Sequence, residues 1–462
     1  MTNSLTIQSL KRSGWPILAA AASVSVLGAI CAGSPLIGFA VAILLGLLLI
    51  WIAKPELPLL LAIAVLPFGS YLALPHLRPM YPVIAFAIAV AVAGLLLRRT
   101  PEIKIPWLPF DAPLLALTLF VGLSCSWSLD REQGVILIAQ FCVNLALCVL
   151  PRFFLPTRSL VRKAVYFWLV CGSIAAILSA FVGASAKQAE RSALFDTPNI
   201  FSAYLNTCLF LAAGLFMSSK GSWKRLAVVV WMLPICVAFA LTQSRGGYVS
   251  FGAAAVFLVA VWPELRHYIL DHLIVVVLIV VLAATALVSS DAGRQVLDRV
   301  ATLSSPGETE GMQIRYVMWR VALRQFTRSH CFGTGAGALR QELTQDTARS
   351  IHQGPYRGET RGYYLPHSLF MQILAELGVI GVVIVLWLAW RLAACFRYQI
   401  ARNTDPMCRS LLYGAYGALV AVGVHALVDL DPSIRLPWIV IGMVGAIMAC
   451  SVRRSEPVYR NS

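Results

Sequence analysis

Charge is what this sequence has least of. Only 13% of its 462 residues are Asp, Glu, Lys or Arg, against roughly 25% in a soluble globular chain. The deficit comes with 59% hydrophobic residues and a mean hydropathy of +0.78. An ordinary soluble domain is excluded, and a polytopic membrane protein is expected. Closely paired cysteines are missing as well. The chain has eleven cysteines, nearly all in apolar segments or beside basic ones, and only Cys331 falls in a long polar stretch. That excludes a disulfide framework and predicts buried small hydrophobes. There is no His-Glu-x-x-His, so nothing marks a zinc protease. No internal repeat and no low-complexity tract is visible. Transporters usually show repeated halves, so a transporter is the distant alternative. A small-residue cleavage site is also absent, and the first span, behind Lys11 and Arg12, is expected to remain as an anchor.

What is present is a series of fourteen apolar segments, near 15–32, 36–53, 57–74, 82–97, 112–128, 135–151, 164–183, 199–218, 226–242, 247–262, 273–289, 366–390, 410–428 and 436–452. Several are shorter than the roughly 17–25 residues a span needs. The expectation is an all-α polytopic membrane protein with twelve to fourteen membrane helices. Its parts are N-terminal membrane helices over 1–289, one large polar loop over 290–365, and C-terminal membrane helices over 366–462.

The net charge of +16 suggests nucleic-acid binding at first sight. In a membrane chain, basic cytoplasmic loops explain it, and no nucleic-acid partner is expected. With the N-terminus inside, the inner short segments hold 21 Lys and Arg and the outer short loops hold 6. The bias puts both termini in the cytoplasm and the 290–365 loop outside. That loop carries ten Arg and no Lys. Arginine's planar fork suits phosphate or carboxylate, although plain surface charge is the alternative. Within it, "GMQIRYVMWRVALRQFTRSH" (311–330) reads as an amphipathic helix lying on the outer membrane surface. Ile314, Val317, Met318 and Val321 share its apolar face, and Arg320, Arg324 and Arg328 share a basic one. "FGTGAGAL" (332–339) is a glycine-rich turn. No Gly-Lys-Ser/Thr follows it, which argues against a phosphate loop.

Four side chains stand out. His367 follows Pro366 at the start of an apolar run, near a helix N-terminus. The dipole there disfavours imidazolium, so the ring suits a general base; a capping histidine is the alternative. Arg245, in "LTQSRGGYVSF", sits inside an apolar stretch from 226 to 262. One helix of that length would run roughly 55 Å, too long for a core of about 30 Å. The chain must turn there, with Gly246 and Gly247 expected to allow it. Arg245 then meets either an anion or water at the boundary. Arg191 precedes a helix start marked by Pro198 and Asn199, and either binds an anion or pairs with Glu190 or Asp196. Arg315 opens the amphipathic helix. Arginines suit a diphosphate, and a neutral histidine suits deprotonation of a sugar hydroxyl. Asp429 and Asp431 offer hard oxygens for Mg²⁺ or Mn²⁺, or are solvated carboxylates at a helix end. No metal site is expected.

"LFDTPNIFSAYL" (194–205), "LTQSRGGYVSF" (241–251), "IRYVMWRVAL" (314–323) with "FGTGAG" (332–337), and "PHSLFMQILAELGVIG" (366–381) form an ordered set. "HALVDLD" (425–431) extends it. In order and spacing the set resembles the bacterial O-antigen ligase family, which shares a superfamily with O-antigen polymerases and protein O-oligosaccharyltransferases. The resemblance covers about the last 270 residues. It implies a GT-C-type glycosyltransferase of about twelve spans in the bacterial inner membrane, with a periplasmic loop and a periplasmic active site. The implied donor is an undecaprenyl-diphosphate-linked glycan, the acceptor a sugar of lipid A–core, and membrane lipids are the surroundings. By the same resemblance His367 matches the catalytic histidine, while Arg191, Arg245 and Arg315 match diphosphate contacts. Ser368 stands where the family often has Asn. No cofactor is implied. Polymerase and protein O-oligosaccharyltransferase remain the alternative activities.

Overall fold

The computed structural model describes residues 107–185, 197–274, 310–339, 367–428 and 435–452, with isolated positions at 59, 60, 63, 277, 278 and 285. Most of the first four expected spans, the boundaries at 289 and 365, Arg191, and the Asp429/Asp431 pair lie outside the described residues. The chain divides into two compact units, 1–62 with 81–103, and 63–80 with 104–462. The first contributes only residues 59 and 60 to the described set, and every helix below belongs to the second.

Among the described residues there is no strand. The helices, in chain order, are α1 (Asp111–Ser124), α2 (Arg131–Val149), α3 (Pro151–Phe154), α4 (Arg158–Ser185), α5 (Pro198–Ser218), α6 (Ser222–Leu241), α7 (Arg245–Val261), α8 (Pro263–Asp271), α9 (Glu310–Arg328), α10 (Leu369–Arg402), α11 (Pro406–Val428) and α12 (Leu436–Val452). Among the described residues, six spans are long and apolar enough to cross a bilayer. They are α2 continued through α3, and helices α4, α5, α6, α10 and α11. A seventh arises if α7 and α8, bent by 98° at their junction, form one span. Helices α1 and α12 are apolar but shorter. The protein is therefore a multi-pass membrane protein, all-helical among the described residues, as the hydropathy pattern predicts.

Helix α5 is the centre of the bundle, with 78% of its apolar window buried, whereas α6 has only 17% buried. The difference follows from what each touches. Helix α5 is enclosed by α4, α6, α7 and α11. Helix α6 leaves Leu226, Val230, Leu233 and Val237 open. Leu386 and Trp390 of α10 and Val256 of α7 are open too. Apolar surface of this kind is what a hydrocarbon solvent covers. Cysteine behaves as predicted: the ten described cysteines are all free, and six of them are buried.

Helix directions sort the molecule into two ends. Trp262 stacks on Tyr413, and Leu258 faces Gly417, so α7 and α11 are antiparallel. Phe210 and Gly214 of α5 face Gly414 and Ser410, which makes α5 antiparallel to α11 as well. Helices α10 and α11 form a hairpin in which the Tyr416 hydroxyl donates to the Leu392 carbonyl (2.8 Å). Helices α5, α7 and α10 therefore begin at the same end. At the opposite end the Arg152 guanidinium grips Asp111 through two bonds of 2.5 and 2.6 Å. Ion pairs Arg158–Asp405 and Arg409–Glu264 lie there too.

Candidate functional site

The end where α5, α7 and α10 begin is built from hydroxyl caps. Thr197 accepts from the Ile200 N–H (3.2 Å) at the head of α5, with Pro198 next to it at the first helical position, as the sequence predicts. Ser244 accepts from the Gly247 N–H (3.1 Å) at the head of α7. Ser368 accepts from the Met371 N–H (3.3 Å) at the head of α10. Each cap satisfies a backbone donor that the helix itself leaves open. Ser244 also donates to Asn199 Oδ1 (2.7 Å), and Asn206 Nδ2 donates to the Gly247 carbonyl (3.0 Å). These bonds lock the heads of α5 and α7 side by side. Two parallel helix N-termini then face the same way, an arrangement that favours an anion.

Arg245 is the first residue of α7, so it stands at the mouth of this paired head, half-buried. The turn before it differs from the expectation. It is made by Thr242, Gln243 and Ser244, with Gln243 in the left-handed region (φ 53), and not by Gly246 and Gly247, which are already helical. Gly247 serves another purpose: a side chain there would collide with Ser202 of α5. The glycine marks a close helix approach and not the turn itself.

His367 sits one residue before the cap of α10, half-buried, at φ 48. It is outside the helix, not in its first turn, and its backbone occupies a region that non-glycine residues rarely adopt. Its neighbour Ser368 is 1% exposed, so the strained position is anchored on its helix side.

Arg315 lies near the start of α9, half-buried. Helix α9 replaces the expected 311–330 helix almost residue for residue. Its buried face is Met318, Val321 and Ala322, packed on Leu339 and on Ala375 and Met371 of α10. Arg320, Arg324 and Arg328 are exposed. On a helical wheel Arg315 is roughly opposite Arg324, at 100° per residue. Arg315 is thus on α9 and His367 directly precedes α10, and these two helices pack together. Arg245 stands on the separate α5–α7 pair, at the same end of the bundle.

The glycine-rich segment is not a phosphate cradle. It docks. Thr334 N–H donates to the Ala375 carbonyl (3.0 Å), Gly335 N–H to the Glu376 carbonyl (2.9 Å), and Val379 N–H to the Cys331 carbonyl (3.0 Å). On its other side Ser128 donates to the Ala336 carbonyl (2.8 Å), and the Leu129 N–H reaches Thr334 O (3.4 Å). Gly333 (φ 85) lies so close to Glu376 that a Cβ would strike its carbonyl. Helix α10 is broken where this segment docks: Gly378 has φ 64 and ψ −157. Sequence reading took 366–390 as one continuous span and missed this break. The apolar run of 366–390 is of spanning length and carried no sign of it, whereas the helix in the structure has 34 residues and, if straight, would run roughly 51 Å, well beyond a bilayer core. Next to the first turns of α10 lies an apolar cleft of about 110 Å³, lined from α1, α2, α10 and α12, which Gln372 and Glu376 face.

A family model described as O-antigen ligase matches residues 227–386. The match begins in α6, takes in Arg245, Arg315 and the glycine-rich segment, and ends in α10 past His367. No curated protein matches. Three solved chains do. One of them, from "Structural coordination of polymerization and crosslinking by a peptidoglycan synthase complex", is 17% identical, with 74% of this chain and 98% of that chain covered and a TM-score of 0.39. A likeness at that score carries no argument about fold or function.

Proposed function

From the premise that residues 227–386 carry the O-antigen ligase family domain, we propose that this chain is a ligase of lipopolysaccharide synthesis. It moves a glycan from undecaprenyl diphosphate to a sugar hydroxyl of lipid A–core at the outer face of the bacterial inner membrane. The observation that carries the reading is positional. Arg245 and His367 stand at the heads of parallel helices at one end of the bundle, Arg315 lies on α9, which packs on the first turns of α10, and all three fall within the family segment.

The chemistry follows from the side chains. Arg245, Arg315 and Arg191 hold the donor diphosphate with forked, charge-assisted bonds, and the paired heads of α5 and α7 add their dipoles. His367 takes the proton of the acceptor hydroxyl. The oxygen forms a bond to the anomeric carbon as the bond to the diphosphate breaks. One displacement inverts that carbon, and undecaprenyl diphosphate leaves with its charge neutralised by the arginines. The proposed step needs no metal. The +16 net charge and the concentration of Lys and Arg in the inner segments support an orientation with the Arg152 end in the cytoplasm.

A lipopolysaccharide gel tests the reading, from a host deleted for the gene and complemented with wild type or His367→Ala. The expected result is loss of the O-antigen ladder, with long polymer left on the lipid carrier, in both the deletion and the His367→Ala strain. Core capped by a single repeat would make the protein a polymerase. An unchanged ladder would point to a protein acceptor. Carrier turnover that survives His367→Ala without product would point to a transporter.

A further inference from the structure

Helix α10 poses a question that the proposed mechanism leaves open. Gly378 separates its first nine residues, 369–377, from the long span behind them. A nine-residue helix is too short to hold itself in water or to fix its own direction. Yet this is the piece that carries Ser368 and, just before it, His367. Something must aim it.

We propose that Glu376 is a positioning residue for His367, the fastener through which the outer loop aims the first turns of α10. The proposal rests on the reading of His367 as the base. Glu376 is 2% exposed and adjoins an apolar cleft. A carboxylate there is costly unless bonded, and an apolar side chain of like volume would be the cheaper filler. Its bonds explain its presence. Oε1 accepts from the Leu339 N–H (3.3 Å) and from Gln372 Nε2 (3.4 Å). The Glu376 main-chain carbonyl accepts from Gly335 N–H, and that of Ala375 from Thr334 N–H. One residue therefore ties the loop, at 335 and 339, to the half-helix. One turn nearer the site, Gln372 N–H donates to the Ser368 carbonyl (3.1 Å). The bonded path runs from Leu339 through Glu376 and Gln372 to Ser368, the neighbour of His367. Gly333 and Gly378 permit the approach, since a Cβ on either would collide with backbone across the contact.

The test uses the full chain in lipid nanodiscs, with an undecaprenyl-diphosphate-linked glycan as donor and lipid A–core as acceptor. Glu376→Ala should lower kcat by roughly 100-fold, the scale of a misplacement of about 1 Å. The donor KM should stay within about threefold, because binding is not what is lost. Glu376→Gln keeps an oxygen acceptor for Leu339 and Gln372, and should restore kcat to within about tenfold of wild type with an unshifted pH profile. Gly333→Ala strikes the same contact from the loop side and should lower kcat in the same way. If the Ala variant does not fold, Glu376→Gln and Gly333→Ala decide alone. Wild-type kcat in Glu376→Ala or Gly333→Ala overturns the proposal, as does a Gln variant as inactive as Ala, or a loss confined to donor KM. His367→Ala in parallel separates the two claims. If it is inactive while Glu376→Ala is not, only the positioning role falls. If it is active, the base falls and the positioning role falls with it.

Discussion

The two ends of the helical body are held by different forces. At the Arg152 end, charges pair with charges: Arg152 with Asp111, Arg158 with Asp405, Arg409 with Glu264. At the His367 end, hydroxyl caps, amides and backbone contacts hold the elements together, from Thr197, Ser244, Asn206 and Ser368 to the docked 331–339 segment. A guanidinium already gripped by two carboxylate oxygens has little left for a ligand. Caps and amides satisfy the backbone at the His367 end, the end where the proposed function has arginines meet an anionic substrate.

The sharpest way to break that contrast is at Asp111. Arg152 is 1% exposed, so removing its carboxylate partner strands a buried charge, at a cost of about 3–5 kcal/mol. Asp111→Ala should lower the melting temperature of the purified protein more than any other change discussed here, and leave the kcat of the surviving folded fraction near wild type. A large kcat loss in folded Asp111→Ala protein would show that the ends are not separate in function.

Arg245 sharpens the contrast from the other side. Arg245→Lys keeps the charge and loses the fork. On a diphosphate the loss of one forked contact corresponds to roughly a tenfold to hundredfold fall in transfer, about 1.4–2.8 kcal/mol. Thermal stability should barely move. Kinetics and melting curves on the same preparation check it: a variant that melts early but turns over normally would place Arg245 among the structural residues.

How legible all this was depends on the kind of signal. Helices α2, α4, α5, α6, α10 and α11 follow from runs of apolar residues of spanning length, because burial in hydrocarbon depends on composition alone. Helix α9 followed from its period: Met318 and Val321 share the buried face as predicted. The head of α5 was legible in Pro198, which suits the first helical position. Glycine misled at one place and told only part at another, for a physical reason. Gly246 and Gly247 looked like a turn, whereas Gly247 is there to let Ser202 come close. The 332–339 glycines do form the expected turn, with Gly333, Gly335 and Gly337 at positive φ, and they also dock on Ala375 and Glu376 some forty residues further on. A glycine shows that a side chain is not tolerated; it does not show whether the reason is a φ angle or a neighbour. The same blindness hid the break at Gly378, where the Cys331 carbonyl comes in from a segment far away in the sequence. His367 was found because a titratable ring before an apolar run is rare, but its left-handed backbone could not be read from neighbours.

The smallest expected effect is at Ser368, and it separates two accounts of the residue beside His367. If its hydroxyl matters only as the cap of α10, Ser368→Ala removes one bond to the Met371 N–H and costs about 1 kcal/mol. That free energy acts on the half-helix that carries His367, so transfer should fall by no more than about fivefold. Asn caps a helix as well as Ser does, so Ser368→Asn should restore wild-type rates. An Asn variant as slow as the Ala variant would mean that the hydroxyl itself serves the reaction. Initial rates of the three proteins at saturating donor and acceptor decide the matter. The outcome bears on the comparison of the two ends, because a cap that can be exchanged for another cap is structural even when it stands next to the base.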